Sequence, residues 1–260
     1  MLVIFPPKKI NFGRLRIFNF LMAALHALQG IIIIFLATDF KLPVTAGYLD
    51  FNVARGALEP ASKQLFEVPL AWLVVAFFFM SAIAHLAIAT VWRRGYEADL
   101  TKGMNRARWV EYAFSASTMM VAIALLVGIY ELSALVMIFS LVAFMNLMGL
   151  LMEVHNQTTK KTNWLSFIIG CFAGIVPWVV VGLYFWAASV YGGGKIPTFV
   201  YWIYVSIFIF FNCFAINMFL QYKKVGKWKD YIFGEQAYIL LSLVAKSALA
   251  WQVFAGTLRP

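Results

Sequence analysis

Long apolar runs alternate with short polar segments along the whole chain. Seven of these runs reach the length that a helix needs to cross the hydrocarbon core of a bilayer, about 20 residues. They are predicted at Ile17–Ala37, Val68–Trp92, Ala107–Ile129, Leu132–Met152, Trp164–Ser189, Thr198–Tyr222 and Ala237–Gly256. The pattern therefore predicts an all-α membrane protein, a bundle of seven transmembrane helices that forms a single domain over residues 1–260.

The composition agrees with a chain embedded in lipid. Hydrophobic residues make up 63% of the 260 residues and charged residues 12%, whereas soluble domains have about 25% charged residues. The net charge of +10 does not indicate nucleic acid, because fifteen basic residues, including Lys8 and Lys9, fall on the side of the N-terminus and five, including Lys195, on the other. The positive-inside rule then predicts a multi-pass cell-membrane protein with a cytoplasmic N-terminus and basic residues near anionic lipid.

Most connections between spans are short, but the segment Thr38–Glu67 between the first two spans is much longer. Part of it, PVTAGYLDFNVA, alternates loosely and contains Gly47 and residues that favour strands. We expect a small β-ribbon here, on the extracellular side. Such a ribbon suits a cap, a dimer contact or a receptor surface.

Two charged residues fall well inside predicted spans: Lys246 in SLVAKSALAWQ and Glu111 in RWVEY. Charged groups at this depth are costly and indicate function. Both spans run outward from the N-terminal side, and helical side chains lean toward the helix N-terminus, so Lys246 can reach Glu111. Three interpretations fit the pair: a structural salt bridge, an ion-coupling pair of a transporter, and a nucleophilic lysine that forms a Schiff base with an aldehyde.

The other charged residues near the spans are predicted to lie at span ends or in loops. Arg108, one turn before Glu111, is expected to extend its side chain to the cytoplasmic surface. Glu153 and Glu235 are expected at the ends of the fourth and seventh spans.

Two histidines are predicted to lie in the layer of Glu111, because His26 and His85 fall at similar depths in antiparallel spans. One interpretation is a water-holding pocket that accepts a proton transiently. The other is a pair of buried histidines bonded to neighbours such as Gln29. Without a third ligand they make a weak metal site, so no metal is predicted.

Two serines lie one helical turn from the charged pair: Ser115 follows Glu111, and Ser242 precedes Lys246. Each is spaced to face its charged neighbour and hydrogen-bond it. A serine inside a membrane helix also commonly bonds the carbonyl four residues earlier.

With a lysine in the seventh of seven spans, the chain resembles the microbial rhodopsins. RWVEY, GIVPW (Gly174–Trp178) and SLVAKSALAWQ are similar to segments of one branch, the heliorhodopsins, whose membrane orientation is inverted. The resemblance implies all-trans retinal on Lys246 as a protonated Schiff base, Glu111 as its single counterion, and a homodimer. It also places Trp178 and Met119 beside the polyene.

Aromatic residues make up 17% of the chain and provide further candidates for the walls of such a pocket. Phe211 and Trp251 are predicted to pack on the polyene, as is Phe208. Asn212, a polar residue in the same aromatic run, is interpreted either as a pocket residue or as a hydrogen-bonding contact between helices.

The chain departs from ordinary light-driven pumps at two positions, Ser242 and Ala122, where a carboxylic acid is usual in those proteins. Without a proton donor, we expect a non-enzymatic light sensor with a slow photocycle that signals through an unidentified partner. Two alternatives stay open: a light-driven or light-gated ion transporter, and a non-photoactive transporter that couples protons through Lys246 and Glu111.

Overall fold

The structure, a computed structural model, describes residues 10–193 and 196–259. Lys8, Lys9 and Lys195 lie outside these residues. The described chain forms eight α-helices and two β-strands: α1 Phe12–Leu36, β1 Lys41–Asn52, β2 Ala57–Pro69, α2 Leu70–Ala89, α3 Arg93–Thr101, α4 Arg106–Leu126, α5 Leu132–His155, α6 Leu165–Tyr191, α7 Thr198–Lys223 and α8 Tyr231–Val253. A 3-10 turn at Gly226–Lys229 precedes α8, and a π-helical turn at Phe254–Leu258 follows it.

The prediction of seven transmembrane helices is confirmed. All the α-helices except α3 are long and apolar enough to span, the last of them continuing through the π-helical turn as Tyr231–Leu258. The protein is therefore a multi-pass membrane protein. Because the number of spans is odd, the start of α1 and the end of the last span lie on opposite sides of the membrane. We call the side at which α1 begins the N-side and the opposite side the C-side. The short helix α3, which the apolar pattern did not predict, lies on the N-side.

Polar caps begin three of the helices that start on the N-side, α1, α4 and α8, earlier than hydropathy predicts. Asn11, Asn105 and Asp230 each accept a backbone N–H of the first turn of α1, α4 and α8, which satisfies a donor that the helix itself leaves unpaired. The Asp230 cap starts α8 at Tyr231 rather than Ala237.

The helices pack in an order that closes the bundle around a central space. α1 packs on α2, α2 on α4, α4 on α5, α5 on α6, and α7 on α8, which returns to α1. α6 and α7 meet through aromatic side chains, among them Phe185 and Tyr201, whose ring centroids lie 4.5 Å apart. Large apolar residues cover the outer faces of the spans, as lipid contact requires.

The predicted β-ribbon is confirmed on the C-side. β1 and β2 are antiparallel, in register from Lys41 opposite Pro69 to Asn52 opposite Ala57, with a bulge at Val44. The carboxylate of Glu131, in the connection between α4 and α5, accepts the N–H of Gly47 at 2.8 Å. This bond fixes the ribbon to the bundle.

Candidate functional site

A buried ion pair connects α8 with α4. Lys246 Nζ donates to Glu111 Oε1 at 3.0 Å, and the two side chains are 3% and 9% exposed. Lys246 lies near the middle of α8, where its side chain leans back toward the N-side and reaches the first half of α4. The pairing that sequence predicted as geometrically feasible is thus a direct contact.

Two serines hydrogen-bond this pair. Lys246 Nζ donates to Ser242 Oγ at 2.8 Å, as the one-turn spacing predicts. Ser81 of α2 donates its hydroxyl proton to Glu111 Oε1 at 2.6 Å. Ser115 is fully buried one turn after Glu111. Sequence reasoning missed Ser81, since the apolar pattern of α2 does not reveal which of its residues faces α4.

The two predicted histidines do lie together beside the pair. The rings of His26 and His85 are nearly parallel, with centroids 5.7 Å apart. Asn19 uses its Nδ2 to donate to Leu15 O, so its Oδ1 faces His85 Nδ1 at 2.8 Å. An amide oxygen only accepts, so this contact pairs it with a His85 tautomer that donates from Nδ1–H. His26 is fully buried, and neither of its ring nitrogens has a hydrogen-bond partner among the described residues.

A second buried charged cluster lies nearer the N-side end of the bundle, where sequence reasoning was wrong. Arg108 does not extend to the surface. Its guanidinium donates to both Glu153 of α5 and Glu235 of α8, and all three side chains are at most 3% exposed. The early start of α8 brings Glu235 into the bundle, so these carboxylates are neither in loops nor at solvated ends.

The cluster is extensively hydrogen-bonded. Glu153 Oε2 accepts the backbone N–H of Asn105 at 2.8 Å and the indole N–H of Trp109 at 2.7 Å. Glu235 Oε1 accepts the side-chain amide of Asn105 at 2.6 Å. The guanidinium carbon of Arg108 lies 4.0 Å from the ring centroid of Tyr238. Buried charges need such partners to offset desolvation.

A small cavity of about 30 Å³ is lined by residues of both charged groups, Glu111 with His85 and Arg108 with Glu235. This volume is enough for about one water molecule, and the walls offer the polar partners that a buried water needs.

A much larger cavity of about 500 Å³ begins at Lys246 and extends across the bundle to α6. Its walls are mainly apolar and aromatic and include the predicted Met119, Trp178 and Phe211. Trp178 is 2% exposed and packs edge-on against Phe211, with ring centroids 5.6 Å apart. A Cβ at Gly174 of α6 would lie 2.5 Å from the Met145 sulfur, so glycine keeps this wall close-packed.

Three residues predicted for the pockets lie elsewhere: Trp251, Gln29 and Phe208. Phe208 packs on Trp178, with ring centroids 5.3 Å apart, but does not itself line the large cavity. Trp251 is on the outside of the bundle, 36% exposed, and donates its indole N–H to Gln29 Oε1 at 3.0 Å. Neither residue lines the large cavity, and Gln29 bonds Leu25 O and Trp251 rather than His26. Trp251 follows Lys246 by five positions, about 140° around the helix at 3.6 residues per turn, so it faces away from the lysine.

A seven-helix membrane bundle whose last span presents a buried, ion-paired lysine to an apolar cavity defines the rhodopsin-type class of retinal proteins. The comparison with known families is more specific. The heliorhodopsin family model matches residues 15–258. The chain therefore belongs to the heliorhodopsin family and is a retinal-based light-sensing protein. No curated protein matches the chain as a relative.

The large cavity fits retinal. Its volume of about 500 Å³ lies within the range of about 300–1,000 Å³ that is typical of small-molecule sites. Lys246 provides the amine at one end, while Met119, Trp178 and Phe211 provide apolar walls for a polyene.

Proposed function

We propose that Lys246 holds all-trans retinal covalently as a protonated Schiff base, with Glu111 as its single counterion, and that the protein senses light without pumping ions. The observation that carries this proposal is the position of Lys246, which is ion-paired with Glu111 and faces the apolar cavity. A structural salt bridge alone does not explain why one partner lines a cavity of about 500 Å³.

Bound retinal supplies the absorption of visible light and a light-driven change of shape. The chain supplies the charge balance. Glu111 is the nearest anion to the amine of Lys246, and Ser81 holds its Oε1 by a hydrogen bond. Ser242 accepts from the same amine and so orients it. These fixed groups favour the cationic form of the nitrogen in a region that water reaches poorly.

The histidines are placed to take up a proton near Glu111. His85 lines the small cavity together with Glu111, and His26 stacks on His85 with free ring nitrogens among the described residues. We expect the two histidines to take up the Schiff-base proton transiently and to return it, so that no proton leaves the protein.

The C-side half of α4 offers no proton donor for a pump. Ala122 is fully buried in the main apolar cluster, and the next acid along the chain, Glu131, bonds the ribbon. Vectorial transport needs acceptor and donor on opposite sides of the reacting nitrogen. Because the C-side half of α4 provides no such donor, the site supports a sensor rather than a pump.

The sensor is proposed to act as a homodimer in the cell membrane, with its N-side in the cytoplasm and an unidentified signalling partner. The family resemblance supports the dimer, and the excess of basic residues on the N-side supports the orientation. No enzymatic reaction is proposed.

The test is the absorption spectrum of the purified protein after addition of all-trans retinal. We expect a visible band that hydroxylamine bleaches, that Lys246→Ala abolishes and that the control Lys102→Ala, a change at the end of α3, retains. Absence of the band in the wild type would contradict the proposal. Steady ion gradients in illuminated proteoliposomes would instead show a transporter.

A further inference from the structure

Two asparagines line the large cavity but have no role in the proposed function. Asn146 lies on α5 and Asn212 on α7, and both side chains contribute to the cavity wall. The wall around them is formed mainly by methionine, phenylalanine, tryptophan and isoleucine side chains. Two amides in such surroundings need an explanation, because unpaired polar groups are costly inside a membrane protein.

The hydrogen bonds of the two amides are incomplete in the same way. Asn146 Nδ2 donates to Val142 O, and Asn212 Nδ2 donates to Phe208 O, each at 2.8 Å and each within its own helix. A primary amide has a second N–H and a carbonyl oxygen to satisfy. Among the described residues, neither oxygen accepts a hydrogen bond. Neither asparagine bonds another helix, so a role as an interhelical contact is not supported.

Asn146 and Asn212 are carried by α5 and α7, the two helices that contact α6 beside the cavity. A Cβ at Gly174 of α6 would meet Met145 and Phe211, the residues that directly precede Asn146 and Asn212. Lys246 enters the same cavity from α8. A polyene aldehyde attached to Lys246 and extending through this cavity toward α6 would bring its ring end between α5 and α7, the helices that carry the two amides.

From this placement we infer that Asn146 and Asn212 form a polar subsite that selects a retinal carrying a hydroxyl group on its ring. A hydroxyl donates to one free amide oxygen and accepts the second N–H of the other amide. A ring without the hydroxyl leaves these polar atoms buried and unpaired, which lowers affinity. This inference rests on the proposed function, because it requires the aldehyde end to be at Lys246.

The test is a competition between two ligands for the full-length protein purified without retinal. The protein is incubated with equal, limiting concentrations of all-trans retinal and all-trans 3-hydroxyretinal, and the bound fraction is extracted and quantified. One net hydrogen bond corresponds to about a threefold to tenfold preference for the hydroxylated ligand in the wild type. Asn146→Leu and Asn212→Leu, which keep the side-chain size, are expected to bring the ratio close to equality.

The control is Ser206→Ala, which removes a polar group of α7 that bonds Gln252 and does not line the cavity. It is expected to keep the wild-type ratio. Equal binding of both ligands to the wild type, or a preference that survives in both leucine variants, would overturn the inference alone. Failure of both ligands to bind would overturn the inference together with the proposed function.

Discussion

Helix α4 contributes to two buried charged groups that differ in kind. Arg108 joins Glu153 and Glu235 near the N-side end, and one turn further along, Glu111 joins Lys246. The first group has one cation and two carboxylates surrounded by amide, indole and aromatic partners. The second has one charge of each sign and faces a large cavity.

The chemistry of the cations explains the difference. Arginine keeps its charge and binds through a rigid fork, whereas a lysine amine can lose its proton and become a nucleophile. Arg108 is enclosed by its partners and suits a permanent structural contact among α4, α5 and α8. Lys246 has open space beside it and suits a covalent ligand. Burial of a charge therefore does not by itself indicate a reactive site.

The largest expected effect is on stability, from Arg108→Met. The change leaves Glu153 and Glu235 buried without their cation, which should cost about 3–5 kcal/mol of unfolding free energy. Denaturation in detergent micelles measures it. The control Arg55→Gln breaks an exposed ribbon salt bridge to Glu59 and should cost less than about 1 kcal/mol. Equal losses in the two variants would contradict a structural role for the cluster.

Replacing a glutamate by glutamine in each of the two charged groups should change the pH dependence of the visible band only for Glu111. With Glu111→Gln, the cationic nitrogen on Lys246 loses its anion, so the titration midpoint of the visible band should move to lower pH by about 1–3 units. Glu153→Gln should leave that midpoint near the wild-type value. Absorbance recorded against pH measures both. If Glu153→Gln produced the larger shift, the counterion would have been misassigned.

A smaller shift is expected from Ser81→Ala. Loss of the hydroxyl that donates to Glu111 destabilises the carboxylate, so the red shift that accompanies its protonation at acid pH should occur about 1 pH unit higher. Ser117→Ala, which removes a bond to Ala113 O within α4, is the matched control. An identical acid titration for wild type and Ser81→Ala would rule out this contribution.

The smallest effect is expected in kinetics. His85→Phe removes the bond to Asn19, worth about 1 kcal/mol, which corresponds to about a fivefold change in the rate at which the dark spectrum recovers after a flash. The exposed His155→Phe serves as control. Flash absorption spectroscopy measures both, and unchanged recovery in His85→Phe would leave the histidines with a packing role only.

The spans and the ribbon were predictable because each depends on a local pattern. Apolar runs of span length and an alternating segment are readable without knowledge of neighbours. The contact between Lys246 and Glu111 was also accessible, since both helices run in one direction and depth can be counted along them. The outward position of Trp251 could have been found by the same counting of helical angles.

The Arg108 cluster was not predictable from hydropathy. The apolar pattern ended the fourth span at Met152 and began the seventh at Ala237, which left Glu153 and Glu235 outside. Their burial depends on the Asp230 cap and on how α4, α5 and α8 meet. The available signal was an arginine near the N-side end of one predicted span, with two carboxylates just beyond the N-side ends of two others.

The most direct test of the account is to find the atom that carries retinal. Retinal-treated protein is reduced with borohydride, digested and examined by mass spectrometry, with Lys246→Ala and Lys102→Ala treated in parallel. The account predicts a retinyl adduct on the α8 peptide that contains Lys246, present in Lys102→Ala and absent in Lys246→Ala. An unmodified α8 peptide, or an adduct on another lysine, would contradict it.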